Sequence, residues 1–151
     1  MKVAIVHYHL GHGGVGAVIA ASSEALTRAG VRHVVLIGKQ NPGGNHHPAA
    51  SVREVPGLEY QTSVAPDGLE ERLRTAAEEA LGFAPDIWHF HNHSLGKNSL
   101  MAEVISRLAE AGERMILQIH DLAEDGRPTN YRNIPDPARL YPLMLGNCFF
   151  T

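Results

Sequence analysis

Apolar residues along the chain form short continuous runs that alternate with longer segments of helical periodicity. Four runs predict buried strands, at Lys2–His7, His33–Ile37, Ile87–His91 and Met115–Ile119, and a shorter strand is predicted at Ser51–Val55. Strands that are apolar on both faces are typical of parallel sheets, whose neighbouring strands need helical crossovers. The pattern therefore predicts an α/β fold: a doubly wound, mostly parallel sheet in a Rossmann-like three-layer domain.

Three segments between these runs repeat apolar residues at helical spacing. The first helix follows the first strand and should end at Gly30, and the third runs from about Leu100 to Gly112. For the second helix, Asp67 and Glu70 have the spacing of a capping box, and Gly82 marks its end. Each predicted helix is therefore followed by a glycine that marks its carboxyl end.

Two segments depart from this regular alternation. Residues 39–66 are rich in proline and glycine, which predicts a functional or mobile connection such as a lid. The last residues, 147–151, look like a further strand without a following helix or polar tail. We therefore expect residues 1–151 to form one domain that is truncated before a second one, and to self-associate through the exposed edge of this strand.

The charge and cysteine content of the chain bear on its binding partners and on its location in the cell. The net charge of −3 provides no positive field for nucleic acid, so we expect no nucleic-acid binding. The single Cys148 allows no internal disulfide, and the start of the chain lacks a signal peptide, so we expect a cytoplasmic protein. No apolar run reaches the roughly 18 residues of a membrane span, and peripheral membrane contact stays open.

Polar residues collect where the predicted strands end, which is where α/β sheets bind ligands. The loop Gly11–Gly16 follows the first strand and has the pattern G-x-G-x-x-G. Its glycines either let backbone amides approach a phosphate or only permit a tight turn and close helix packing. The second strand ends in Gly38 and Lys39 without the acid that binds a ribose, which disfavours a nicotinamide cofactor.

Histidines are unusually frequent, with ten in the chain, and several alternate along strands. His89, His91 and His93 would face one side if the fourth strand continued to residue 93, and His7 and His9 repeat the spacing. Such sets bind zinc in some hydrolases, but a catalytic zinc site needs a further ligand. We expect no metal and favour histidines that form hydrogen bonds in a polar cleft.

Three motifs in this order resemble the N-terminal domain of retaining GT-B glycosyltransferases of family 4. They are the glycine loop at residues 13–16, Pro85–Asn92 at the fourth strand, and Ile116–Asp121 at the fifth. The resemblance spans nearly the whole chain. It implies an enzyme of two Rossmann-like domains, in which this acceptor-side domain faces a second domain that holds most of a nucleotide-sugar.

The resemblance also implies roles for individual residues. Backbone amides at Gly13, Gly14, Val15 and Gly16 would approach the donor diphosphate, and His120 would be the catalytic histidine near the transferred sugar. Contacts with the acceptor, of unknown identity, would come from Asn92, His93 and Asp121. The nucleotide-sugar is a co-substrate, and the family usually uses no metal or other cofactor.

The second domain of the family, with its basic pair and E-x7-E segment, has no counterpart in this chain. We therefore expect a hexosyltransferase that is active as a full-length protein, while the 151-residue chain alone is inactive. Two alternatives stay open. One is a metal-dependent hydrolase that uses the His-x-His pairs, and the other is a stand-alone, non-catalytic sugar- or nucleotide-binding module.

Overall fold

The computed structural model of the chain describes residues 1–11, 13–39, 51–60, 68–122, 127–132, 134–142 and 147–151. Six parallel strands form one sheet: β1 (Lys2–Val6), β2 (Arg32–Ile37), β3 (Ser51–Glu54), β4 (Ile87–His91), β5 (Met115–Gln118) and β6 (Cys148–Phe150). The helices are α1 (Gly14–Arg28), α2 (Leu69–Leu81), α3 (Met101–Glu110) and the short α4 (Pro128–Arg132), followed by a 3-10 turn at Pro137–Leu140. The predicted α/β class and mostly parallel sheet are confirmed.

The strand order is β3-β2-β1-β4-β5-β6. From β1 the chain builds outward in one direction through β2 and β3, and it then returns to add β4, β5 and β6 on the other side. The order therefore reverses between β1 and β4, which are hydrogen-bonded neighbours. In open α/β sheets this reversal opens a crevice at the carboxyl ends of the strands, where ligands bind.

Alternate residues of the central strands pack on opposite faces of the sheet, which explains their continuous apolar runs. Ala4 and Val6 belong to the larger core, which includes buried residues of α2 and α3. Val3 and Ile5 belong to the smaller core, which includes Ile19 of α1. The sheet is thus covered by helices on both faces, as a three-layer domain requires.

The predicted capping box of α2 is wrong. The helix begins at Leu69, and Gly68 occupies the N-cap position with φ of 94° and no side-chain cap. Glu70 accepts a hydrogen bond from Arg74 one turn later, at 2.7 Å, and Arg74 also bonds Glu113 next to β5. Glu70 therefore ties the helix surface together instead of capping it; Asp67 lies outside the described residues.

The two irregular segments are described only in part. Within residues 39–66, β3 is confirmed, while residues 40–50 and 61–66, which carry most of the predicted lid, lie outside the described residues. The predicted terminal strand is also confirmed: β6 pairs with β5 at the edge of the sheet, and Phe149 is 64% exposed. No helix in the described part of the chain is long and apolar enough to cross a membrane.

Candidate functional site

Imidazole rings gather where β1, β4 and β5 end, beside the reversal in strand order. The ring centroids of His7 and His91 are 6.4 Å apart, and those of His91 and His120 are 5.3 Å apart and nearly parallel. His9 lies 5.6 Å from His7, and His89 lies 4.2 Å from His91. We call His7, His9, His89, His91 and His120 the histidine cluster. The sequence prediction that strand ends bring His7, His9, His91 and His120 to one edge of the sheet is confirmed.

Hydrogen bonds fix the rings of the cluster. The Nδ1 of His7 donates to the backbone carbonyl of His91 at 3.1 Å, which joins β1 to β4. The Nε2 of His89 lies 2.9 Å from the side-chain oxygen of Gln118, and the Nδ1 of His91 lies 3.0 Å from the Nε2 of His120, which join β4 to β5. The histidine cluster therefore belongs to a hydrogen-bond network that connects β1, β4 and β5.

Burial keeps the inner rings of the cluster neutral. The pKa of His7 is lowered to about 4, mainly by desolvation and also by the neighbouring His9, His120 and Lys97, while the hydrogen bond to His91 opposes the shift. Burial lowers the pKa of His91 to about 2, with additional repulsion from His89, His7 and His120. A neutral imidazole can donate one hydrogen bond and accept another, so at neutral pH the histidine cluster can orient a bound polar ligand.

Asn92 ends β4 and holds the end of β5. It is buried and has φ of 55°, a left-handed conformation that asparagine tolerates better than most residues. Its Oδ1 accepts hydrogen bonds from the backbone amides of His120 at 2.8 Å and Asp121 at 3.1 Å. Asn92 therefore positions the two residues that follow β5, and its predicted contact with an acceptor stays a prediction.

The fourth strand ends at His91, so the condition for a row of His89, His91 and His93 on one side of the strand is not met. The turn at Asn92 ends the strand and carries the His93 side chain away, into a site where it is 1% exposed. There its Nε2 donates to the carbonyl of Leu140 at 3.0 Å. Direct contact with an acceptor stays a prediction for His93, and the carboxylate of Asp121 is the exposed member of this predicted set.

A metal centre in the histidine cluster would need several ring nitrogens that face one point. Within the ranges that the structure describes, no three histidine, cysteine or acidic side chains are arranged to hold a metal ion. His7 and His89 each use one ring nitrogen on a protein oxygen, and His91 and His120 use one on each other, so every ring keeps a second nitrogen. The hydrolase alternative stays a hypothesis, without a three-ligand site among the described residues.

The glycine loop separates into two kinds of position. A Cβ on Gly16 would lie 2.8 Å from the carbonyl oxygen of Gly11, so this glycine is needed for the tight turn. A Cβ on Gly13 or Gly14 would meet nothing within 4 Å, so packing within the described residues does not require glycine there. The two interpretations of the loop thus apply to different glycines, and no described atom fills the space beside Gly13 and Gly14 at the start of α1.

The first amides of α1 have no side-chain cap, and no described residue accepts a hydrogen bond from the amides of Gly14, Val15 or Gly16. The first four N–H groups of a helix lack partners within the helix and carry the positive end of its dipole. Together with the open space at Gly13 and Gly14, these amides can bind an anion such as a phosphate.

Alanine substitutions separate the two kinds of glycine. We expect Gly16→Ala to lower the free energy of unfolding by about 1–3 kcal/mol, because the new Cβ displaces the backbone of Gly11. Gly14→Ala is the matched control and should leave stability unchanged or raise it by up to about 1 kcal/mol, since alanine favours a helix. Urea unfolding measures both, and an equal loss in the two variants contradicts the assignment.

Asn92 offers a second test of the site's construction. Asn92→Ala should cost about 3 kcal/mol, because two backbone amides lose their acceptor and alanine is strained at positive φ. Asn92→Gly loses the same hydrogen bonds without the strain, so it should be about 1 kcal/mol more stable than the alanine variant. Thermal unfolding of both proteins measures the difference, and no difference would show that the left-handed conformation is not maintained.

Three polar residues near the site were missed by sequence reasoning. The Nζ of Lys97 lies 4.1 Å from the ring centroid of Tyr60, whose ring packs 4.9 Å from that of His9. Asn98 is buried and donates to the carbonyls of Gly57 at 2.8 Å and Glu59 at 2.9 Å. Asn98 thus connects the loop after β4 to the loop after β3, a pairing for which the sequence carries no periodic signal.

No protein-family model, curated protein or solved structure matches the chain.

Proposed function

We propose that this chain is the acceptor-side domain of a retaining, nucleotide-sugar-dependent GT-B glycosyltransferase. In this proposal it transfers a hexose to an acceptor when it is joined to a second, nucleotide-binding domain. The observation that carries the proposal is the meeting of the glycine loop after β1, the His91–Asn92 segment after β4 and His120–Asp121 after β5 at one edge of the sheet. These are the three motifs of the resemblance.

The chemistry of the transfer explains why these groups would be needed together. Breaking the bond between a sugar and a diphosphate places negative charge on the leaving group and positive character on the sugar carbon. In the proposal, the free amides of Gly14, Val15 and Gly16 stabilise the leaving diphosphate. His120 contacts the transferred sugar beside them, and exposed Asp121 contacts the acceptor.

The proposal includes the environment of the enzyme. The nucleotide-sugar is a co-substrate, the reaction uses no metal, and the protein works in the cytoplasm, where a single reduced cysteine is unremarkable. Loops commonly carry the residues that determine specificity, so the acceptor and any peripheral contact with a membrane depend on the loops at this edge of the sheet.

The reading frame downstream of Thr151 tests the proposal at the level of the gene. We expect it to continue for about one more domain, with a second alternation of strands and helices and an E-x7-E segment. A stop codon directly after Thr151 would contradict the two-domain enzyme and favour the stand-alone binding module.

The edge strand β6 is expected to cause self-association of the 151-residue chain. Its outer hydrogen-bonding groups face no described strand, and exposed apolar edges template pairing with another chain. Phe149→Lys should weaken association, because charge on an edge strand opposes pairing. Light scattering over a range of concentrations measures the effect, and a monomer at every concentration for the unmodified chain would overturn this expectation.

A further inference from the structure

His91 and His120 form a hydrogen-bonded pair in which one ring is buried and the other is half-buried. His91 is 1% exposed, and its Nδ1 lies 3.0 Å from the Nε2 of His120. The remaining nitrogen of His91, Nε2, is buried without a partner among the described residues. The remaining nitrogen of His120, Nδ1, has no hydrogen-bond partner in the described ranges and is the one left for a ligand.

Both residues of the pair are held from the backbone side. The ring of His7 donates to the carbonyl of His91 at 3.1 Å. The side chain of Asn92 accepts from the amide of His120 at 2.8 Å. These contacts hold the backbone of both residues, and the hydrogen bond between the two rings orients the imidazoles toward each other. The two neutral forms of the pair then differ in which ring nitrogens carry the protons.

Two neutral arrangements of the pair can form. In the first, Nδ1–H of His91 donates to Nε2 of His120, so His120 carries its proton on Nδ1 and His91 buries only a lone pair. In the second, Nε2–H of His120 donates to Nδ1 of His91, so His91 buries an N–H group that nothing described accepts. Buried N–H groups without a partner are rare in folded proteins.

The indole N–H of Trp88 is a buried donor without a partner among the described residues, whereas the neighbouring His93 leaves a ring lone pair unpaired. Its Nε2 lies 3.0 Å from the carbonyl of Leu140, which can only accept, so the proton of His93 must be on Nε2. Its Nδ1 is then a buried lone pair with no described partner. The first arrangement of the His91–His120 pair leaves an atom of this same kind unpaired, and the second does not.

We propose that His91 is a positioning residue that fixes the tautomer and orientation of His120, so that His120 presents Nδ1–H to the ligand. His120 then acts as a hydrogen-bond donor toward an oxygen atom, such as a sugar hydroxyl or a phosphate oxygen. It does not act as a base, because its other nitrogen is occupied by His91. The tautomer is a property of this chain, whereas its use in transfer rests on the proposed function.

Nitrogen-15 NMR of the labelled 151-residue chain tests the inference directly. At alkaline pH, where imidazoles are neutral, protonated and unprotonated ring nitrogens have well-separated shifts. We expect Nδ1 of His120 to be protonated. In His91→Leu the shifts of His120 should move toward a mixture of both tautomers, because the donor is gone. His91→Asn should restore the original pattern, since its side-chain amide can donate from near the position of Nδ1.

His89→Leu is the matched control, because it removes another imidazole that packs on His91 but makes no hydrogen bond to His120. Its His120 shifts should match those of the unmodified chain. A proton on Nε2 of His120 in the unmodified chain would overturn the inference, and so would an equal change in His89→Leu and His91→Leu. If His91→Leu fails to fold, the unmodified chain and His91→Asn decide the question.

The two proposals fail separately. In the complete enzyme, His91→Leu should lower transfer about 10- to 100-fold, the range typical of partners that orient a reacting group, and His91→Asn should recover most of it. The predicted tautomer in a protein without transfer activity would contradict only the proposed function. Transfer activity with a proton on Nε2 of His120 would contradict only the role of His91.

Discussion

Replacing His120 with alanine is expected to lower sugar transfer about 100- to 1,000-fold in the complete enzyme, the loss typical of a single donor to developing charge. Among the described residues its side chain makes one hydrogen bond, to His91, so the melting temperature should fall by only a few degrees. A loss of stability alone would therefore not explain the loss of rate. Initial rates with saturating substrates, together with thermal unfolding, separate the two effects.

His33→Ala is the matched control for this variant. His33 lies at the amino end of β2, away from the cluster, and its Nε2 is 2.6 Å from the hydroxyl of Ser23. Removing it should cost at least as much stability as removing His120, because His33 also donates from Nδ1 to the carbonyl of Val31 at 3.1 Å, so two partly buried hydrogen bonds are lost. We expect normal transfer in His33→Ala. Equal rates in the two variants would show that His120 is not part of the reaction.

The free energy of unfolding of the domain should fall as the pH drops below about 6.5. His7, His91 and His93 are buried, and burial lowers their pKa values to about 4, 2 and 4. In the unfolded chain a histidine has a pKa of about 6.5, so below that pH the unfolded state binds protons that the folded state cannot. Stability is therefore fully present above about pH 6.5 and falls as the pH approaches the folded pKa values.

The size of this effect is large for one domain. At pH 5 each of the three histidines should cost about 2 kcal/mol relative to neutral pH, about 6 kcal/mol together, against a typical domain stability of about 5–15 kcal/mol. Urea unfolding between pH 7.5 and 4.5 should reveal an uptake of about three protons on unfolding near pH 5. His93→Gln should remove about one of them, and constant stability down to pH 4.5 would contradict the burial of neutral histidines.

The parts of the fold that the sequence could predict are those that depend on repeated patterns. β4 was predicted at Ile87–His91 and is found there, because a run of apolar residues between a helix end and a polar loop has few alternatives. Gly82 was predicted to end α2 and does so with φ of 79°, a conformation that glycine adopts without strain.

The details of the site depend on single residues and on contacts between distant loops. The left-handed conformation of Asn92 turns His93 away from the strand, and no periodicity indicates such a turn. The N-cap of α2 is Gly68, one position after the Asp67 that the sequence pattern predicts. Asn98 reaches carbonyls about forty positions earlier in the chain, which only the packed loops bring into range.

The central claim is tested most directly by measuring sugar transfer from a panel of nucleotide-sugars by the protein translated from the complete reading frame. We predict transfer from at least one of them, without added metal, to give a product whose anomeric configuration matches that of the donor. Inversion of configuration would contradict the retaining mechanism. Absence of transfer from every common nucleotide-sugar, including hydrolysis to water, would contradict the assignment as a glycosyltransferase.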